Sequence, residues 1–135
     1  MGDRAIIQFK ADESTPSINL YTHWGGSERY TDLADALEFA RPRWSDPEYA
    51  TRICISQIIG NDWNDEHGFG LSVGDENARH GDYTTVPCVI WNRLCVRIDA
   101  PDEPAGAHVH LEYSFDEFIE RARARTAEQL AELRF

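Results

Sequence analysis

Residues 86–99 read VPCVIWNRLCVRID. Two runs of strand-forming residues flank Asn92-Arg93, the signature of a β-hairpin closed by a two-residue turn, and asparagine suits a turn position with positive φ. That turn pairs Trp91 with Leu94, Ile90 with Cys95 and Val89 with Val96. Val89, Trp91, Leu94, Val96 and Ile98 then form one apolar face, because alternate strand residues share a side. Cys88 and Cys95 fall diagonally on the opposite face. Diagonal neighbours lie about 7–8 Å apart, whereas a disulfide wants Cβ atoms within about 4 Å, so these two are expected to stay thiols. An antiparallel hairpin with one apolar face calls for helices to cover it, and the flanking sequence provides them.

Upstream, residues 4–10 (RAIIQFK) and 17–24 (SINLYTHW) are strand-like, joined by the turn-rich ADESTPS. In the second run Ile18, Leu20, Thr22 and Trp24 share one face, and Asn19, Tyr21 and His23 the other. Gly25-Gly26-Ser27 breaks the strand. A helix follows to about Ala40, with Tyr30, Leu33, Ala34 and Leu37 at helical spacing, and Pro42 stops it. Ser45 and Glu48 have the spacing of a capping box, with Pro47 in the first turn. That helix, largely buried, continues through YATRICISQII to Gly60. Residues 61–83 are irregular, with one short strand at Phe69–Val73. Downstream, prolines and glycines at 101–106 precede a strand, AHVHLEY. Ser114 and Glu117 form a second capping box and Tyr113 and Phe118 a hydrophobic staple. The last helix is expected from Phe115 to about Leu133, with Phe118, Ile119, Ala122, Leu130 and Leu133 on its apolar side. The order ββααβ(β)ββα predicts an α+β fold. It has a mainly antiparallel sheet of five to six strands, with three helices packed on it, in a single domain over 1–135.

The chain has 135 residues, 41% of them hydrophobic, and a formal net charge of -11. That length fits one core, and the aromatic content is too high for a disordered chain. The cysteines, Cys54, Cys88 and Cys95, are odd in number and hold no CxxC pair, which excludes a disulfide framework or a zinc ribbon. No apolar run approaches the ~18 residues of a membrane span. The expectation is a cytoplasmic protein with no cofactor and no membrane partner. Residues 61–82 carry Asp62, Asp65, Glu66, Asp75, Glu76 and Asp82 against Arg79 alone, five of the net negative charges. Such a chain repels phosphate backbones, which argues against direct nucleic-acid binding. It suits a basic partner, or the stretch is simply a solvated loop.

Three segments hold candidate sites. His23-Trp24-Gly25-Gly26-Ser27 joins a strand to a helix N-terminus, where glycines admit a ligand and backbone N–H groups attract anions. Trp24 can stack on a ring, and Arg52 can supply a charge-assisted hydrogen bond. The plainer reading is a tight turn with Trp24 in the core. Asp62, Asn64 and Glu66 have the spacing of a calcium loop, yet glycine at its sixth position and glutamate at its twelfth are missing. Asp62, Asp65 and Glu66 therefore read as a partner-binding surface or as solvated acids. His108 and His110 lie on one side of a strand, the basis of an alternative metal site with Asp99, His23 or His80 as third ligand. A His-x-His on a half-exposed strand is more often polar surface. No nucleophile elbow and no activated cysteine is evident, so no catalytic residue is assigned.

The stretches LYTHWGG, ALEFARPRW and DPEYATRICISQIIG, followed by HGFGLSV, resemble small accessory proteins of mycobacteriophages and other actinobacteriophages, over roughly residues 4–75. The excess of arginine over the single lysine, Lys10, agrees with a GC-rich host. The resemblance implies a viral origin and an intracellular setting. It points to a non-enzymatic binding protein acting on a host factor, in host takeover or anti-defence, with a host protein or a small nucleotide as partner. The alternatives are a sponge for a signalling nucleotide and a small metal-dependent hydrolase using His108, His110 and the acids of the 62–67 loop.

Overall fold

The computed structural model describes residues 2–77, 81–99 and 110–124. Among the described residues, six strands and three α-helices follow one another as β1 (Ala5–Lys10), β2 (Ile18–Thr22), α1 (Arg29–Phe39), α2 (Pro47–Ile59), β3 (Phe69–Val73), β4 (Val86–Ile90), β5 (Cys95–Asp99), β6 (His110–Ser114) and α3 (Phe115–Arg123). The strands form one sheet in the order β3-β2-β1-β4-β5-β6, so the α+β reading holds. The sheet is mixed, because β4 runs parallel to β1 while the other four pairings are antiparallel.

The parallel pair follows from the route of the acidic segment. After β3, Asp75 accepts from Lys10 Nζ at 2.9 Å and from the Ser17 N–H at 3.0 Å, at the C-terminal end of β1. Asp82 then accepts from the Arg4 N–H and guanidinium, both at 2.9 Å, at the N-terminal end. The chain is thus carried back along β1 and enters β4 in the same direction. Hydrogen bonds from Lys10 and Arg4 hold the two carboxyls below their ordinary pKa. Two of the six acids of 61–82 are therefore fastenings of the fold.

On one sheet face Ile7, Phe9, Leu20, Val89, Trp91, Val96 and Ile98 meet the apolar sides of the helices. The Trp91 Nε1–H donates to Thr51 Oγ1 at 2.8 Å, which ties the sheet to α2 without leaving a buried donor unpaired. On the other face Gln8, Ser17 and Asn19 are buried in a hydrogen-bonded row that reaches Ser72 and the Gly74 carbonyl. Beside it Cys88, Ile90 and Cys95 make a small second cluster. All three cysteines are free and buried, and burial pushes the Cys54 and Cys88 thiols up to about 12.

Several local expectations need correction. The β4–β5 ladder pairs Ile90 with Cys95 and Val89 with Val96 as read from the sequence. The turn is longer than two residues, however: Trp91–Arg93 form a 3-10 turn, and Leu94, not Asn92, takes the positive φ of 49°. Leu94 consequently leaves the apolar face and is exposed. In α2, Pro47 occupies the first helical position, so Asp46 becomes the N-cap and Ser45 falls one residue too early for a capping box. Gly60 ends that helix at φ 61°. Ser114 does cap α3, accepting from the Glu117 N–H at 3.2 Å. Leu130, Leu133 and His108 lie outside the described residues.

Candidate functional site

The turn from β2 into α1 is built around Asp3. Its Oδ2 accepts from the Ser27 N–H at 2.9 Å and the Ser27 hydroxyl at 2.8 Å, and its carbonyl accepts from the Gly26 N–H at 2.8 Å. Tyr83 donates to Oδ1. A side chain at Gly26 would overlap the Tyr83 ring and the Asp3 carbonyl, so glycine is required there. The anion expected at this helix start is thus the protein's own carboxylate, and Gly26 and Ser27 are spent on structure. Beneath them Arg29 is fully buried, its guanidinium held between the Tyr30 and Tyr83 rings at 4.4 and 4.2 Å. It donates to the Gly26 carbonyl at 2.8 Å and to Thr85 Oγ1 at 2.7 Å. Burial pulls its pKa below the ordinary arginine value.

Trp24 escapes the core that its strand alternation suggested. β2 ends at Thr22, and the Trp24 ring is 59% exposed. It packs edge-on against His23 at 4.8 Å, while His23 Nδ1 shares a hydrogen bond of 2.7 Å with the Tyr21 hydroxyl. Trp24 and Gly25 form one wall of a cavity of about 390 Å³. Asp62, Asp65 and His67 from the loop after α2 also line it, as do Glu28, Arg29 and Asp32 of the α1 start. Two segments that the sequence offered as separate candidates therefore meet in one site. Arg52 does not join them; it lines a different, mainly apolar cavity.

Asp32 is the member the sequence reading missed. Burial first, then the neighbouring carboxylates of Glu28 and Asp35, raise its pKa to about 6. No ion pair or hydrogen bond reaches its carboxylate among the described residues. The signal was present: Glu28, Asp32 and Asp35 stand at i, i+4 and i+7, one helical stripe. Asp62, Asp65 and Glu66 are exposed and likewise carry no side-chain ion pair among the described residues. The site is a cavity with an aromatic side and an excess of carboxylates over the buried Arg29, one of them, Asp32, partly desolvated, which is suited to an organic cation.

Of the residues named for the metal alternative, His108 and His80 lie outside the described residues, and the others lie apart. His110 is paired with Asp99 across β5 and β6, and Asp99 is engaged by Arg97 at 3.1 Å. His23 follows β2, four strand positions away, or about 19 Å at the usual strand spacing. The 62–67 acids lie beyond the opposite edge. No group of three metal-ligating side chains occurs among the described residues, and no described helix is long and apolar enough to cross a membrane. No family model, curated protein or solved structure matches the chain.

Proposed function

We propose that this is a non-enzymatic, phage-encoded binding protein that captures a basic host protein inside the infected cell. Its anionic cavity, on this reading, receives a lysine or arginine side chain of the partner. The carrying observation is Asp32: a half-buried carboxylate without a counter-charge, facing a cavity ringed by Glu28, Asp62 and Asp65 and walled by Trp24. Keeping such a group charged costs stability, and a cationic side chain seated over Trp24 offsets that cost. The viral origin and the anti-defence setting come from the sequence resemblance alone. A nucleotide sponge is less well supported, since the helix start is filled by Asp3 and Arg52 lines another cavity.

The test uses a tetra-arginine peptide and intrinsic tryptophan fluorescence, with Trp24→Phe as the control that assigns the signal to Trp24 among the four tryptophans. A cation stabilises the ionised form of Asp32, so binding is strongest above pH 6 and weakens as the pH falls through about 6. Quenching should vanish in Asp32→Asn and shrink with added salt. Equal binding at pH 5 and 7.5, or by Asp32→Asn, would overturn the assignment.

The same carboxyl gives a stability prediction with a definite sign. Its folded pKa lies above the ordinary 3.8, so the native state holds the proton more tightly and stability falls as the pH rises from about 4 to about 6. Asp32→Asn should therefore be stabilising at pH 7.5 by about 1 kcal/mol, discounted for the partly solvated side chain. It should be near neutral at pH 3.5. Urea melts at the two pH values measure this. Equal effects at both would show that the carboxyl is not desolvated.

A further inference from the structure

β3 is an edge strand, and its outer edge is open. The ladder with β2 includes bonds from the Gly74 N–H to the Ser17 carbonyl and from the His23 N–H to the Gly68 carbonyl. Antiparallel alternation then makes Asn19–Ser72 and Tyr21–Gly70 the bonded pairs. The N–H and C=O groups of Phe69, Leu71 and Val73 consequently point away from the sheet. Of these, the Val73 carbonyl accepts from Asn77 Nδ2 at 2.7 Å. The other five groups have no partner among the described residues. Natural edges are guarded by lysine, proline, bulges or inward charges, and FGLSV contains none of them.

The side chains beside this edge are apolar and uncovered. Leu71 pairs with Leu20 and Val73 with Ile18, which places both on the helix side of the sheet. Yet they are 56% and 63% exposed. Between this strip and α2 lies a groove of about 410 Å³, lined among others by Ile18, Leu71, Pro47, Thr51, Ile55 and Trp63. A strand laid along β3 would send alternate side chains towards that groove.

Charge decides the occupant. Asp65 and Glu66 precede β3, and Asp75 and Glu76 follow it. A second copy pairing antiparallel would set each acid pair against the other pair. Pairing in parallel would set each against itself. Both arrangements juxtapose like charges, and only Asp75 is neutralised, by Lys10. We propose that β3 is a strand-addition site for an extended segment of a partner protein, apolar at its centre and basic at both flanks. The basic character of that partner rests on the function proposed above, while the open edge and the groove do not. Backbone bonds to β3 would hold the segment, the groove would select its alternate side chains, and the flanking acids would fix its ends.

The probe is the synthetic peptide Arg-Arg-Val-Leu-Val-Leu-Val-Arg-Arg. Its binding should slow amide hydrogen exchange at Phe69, Leu71 and Val73 on the order of tenfold, and leave Gly70 and Ser72, already bonded to β2, little changed. The same peptide N-methylated at alternate residues keeps its charges and side chains but loses its edge donors, and should bind at least about tenfold more weakly. Leu71→Pro removes an outward N–H without touching the β2 ladder and should weaken the unmodified peptide similarly. Equal binding of the N-methylated peptide, or no protection at the three amides, would overturn the proposal. So would sedimentation showing the free protein to be a dimer with those amides already protected. If protection appears while Asp32→Asn and the Asp62, Asp65 and Glu66 amides leave affinity unchanged, the edge site stands and the cavity reading fails. If the acids matter and protection is absent, the cavity reading stands and the edge site fails.

Discussion

Replacing Arg29 by alanine should destabilise the protein by about 4 kcal/mol, a large share of the ~5–15 kcal/mol that holds a domain of this size folded. The side chain is 1% exposed and lies where four segments meet. It bonds the Gly26 carbonyl of the β2–α1 turn and Thr85 Oγ1 ahead of β4, and it fills the space between the Tyr30 and Tyr83 rings. Alanine removes a charge-assisted pair of hydrogen bonds and opens a cavity between two aromatic rings, and these losses outweigh the gain from removing a buried charge. Tyr83 in turn donates to Asp3, which holds Ser27, so the start of α1 should loosen with it. Lysine should rescue little, because an ammonium neither stacks flat between two rings nor reaches both acceptors. Methionine should recover more than lysine, since it fills the space and removes a buried charge whose Nε has no partner among the described residues. Urea unfolding of the three variants measures the order. A loss below about 1 kcal/mol for alanine would mean that the guanidinium is solvated in the native state.

The sequence exposed the fold where one residue pattern fixed one local geometry. Alternation fixed the faces of β2, β4 and β5. Pro47 and Gly60 marked the two ends of α2, and Ser114 and Glu117 the start of α3. It failed where geometry was set at a distance. The parallel pairing of β1 with β4 depends on ties from Asp75 and Asp82 to residues 65 and 78 positions earlier, and no local signal carries such a distance. The acid count of 61–82 was legible, but its division was not: Asp75 and Asp82 fasten the chain, while Asp62, Asp65 and Glu66 face solvent. The candidate site was half legible. Trp24, Gly25, Asp62 and Asp65 were chosen from two unrelated segments that prove to share one cavity. Asp32 was passed over because a lone acid in a helix reads as surface, and only the burial contributed by other segments gives it chemical interest.

Changing Asp62, Asp65 and Glu66 together to Asn, Asn and Gln should slow association with the basic partner about tenfold at low salt, with little effect on stability. The three carboxylates are exposed and lack ion pairs among the described residues, so their removal costs the fold almost nothing. Asp62 and Asp65 nevertheless line the cavity and Glu66 follows them in the loop before β3, where a long-range field acts on an approaching cationic surface. Such steering is screened over ~10 Å at 0.1 M salt and over ~3 Å at 1 M. The difference between wild type and variant should therefore narrow as salt rises, and the dissociation rate should change less than the association rate. The basic nonapeptide serves as the partner, and stopped-flow mixing across a salt series provides the rates. The converse pattern is equally readable. A variant that binds at the wild-type rate but melts many degrees lower would make these acids fastenings of the fold, as Asp75 and Asp82 are, and leave Asp32 and Glu28 without the outer charges that the cavity reading requires. Loss of binding at all salt concentrations, with an unchanged association rate, would instead make the three carboxylates direct contacts of the bound state rather than a steering field.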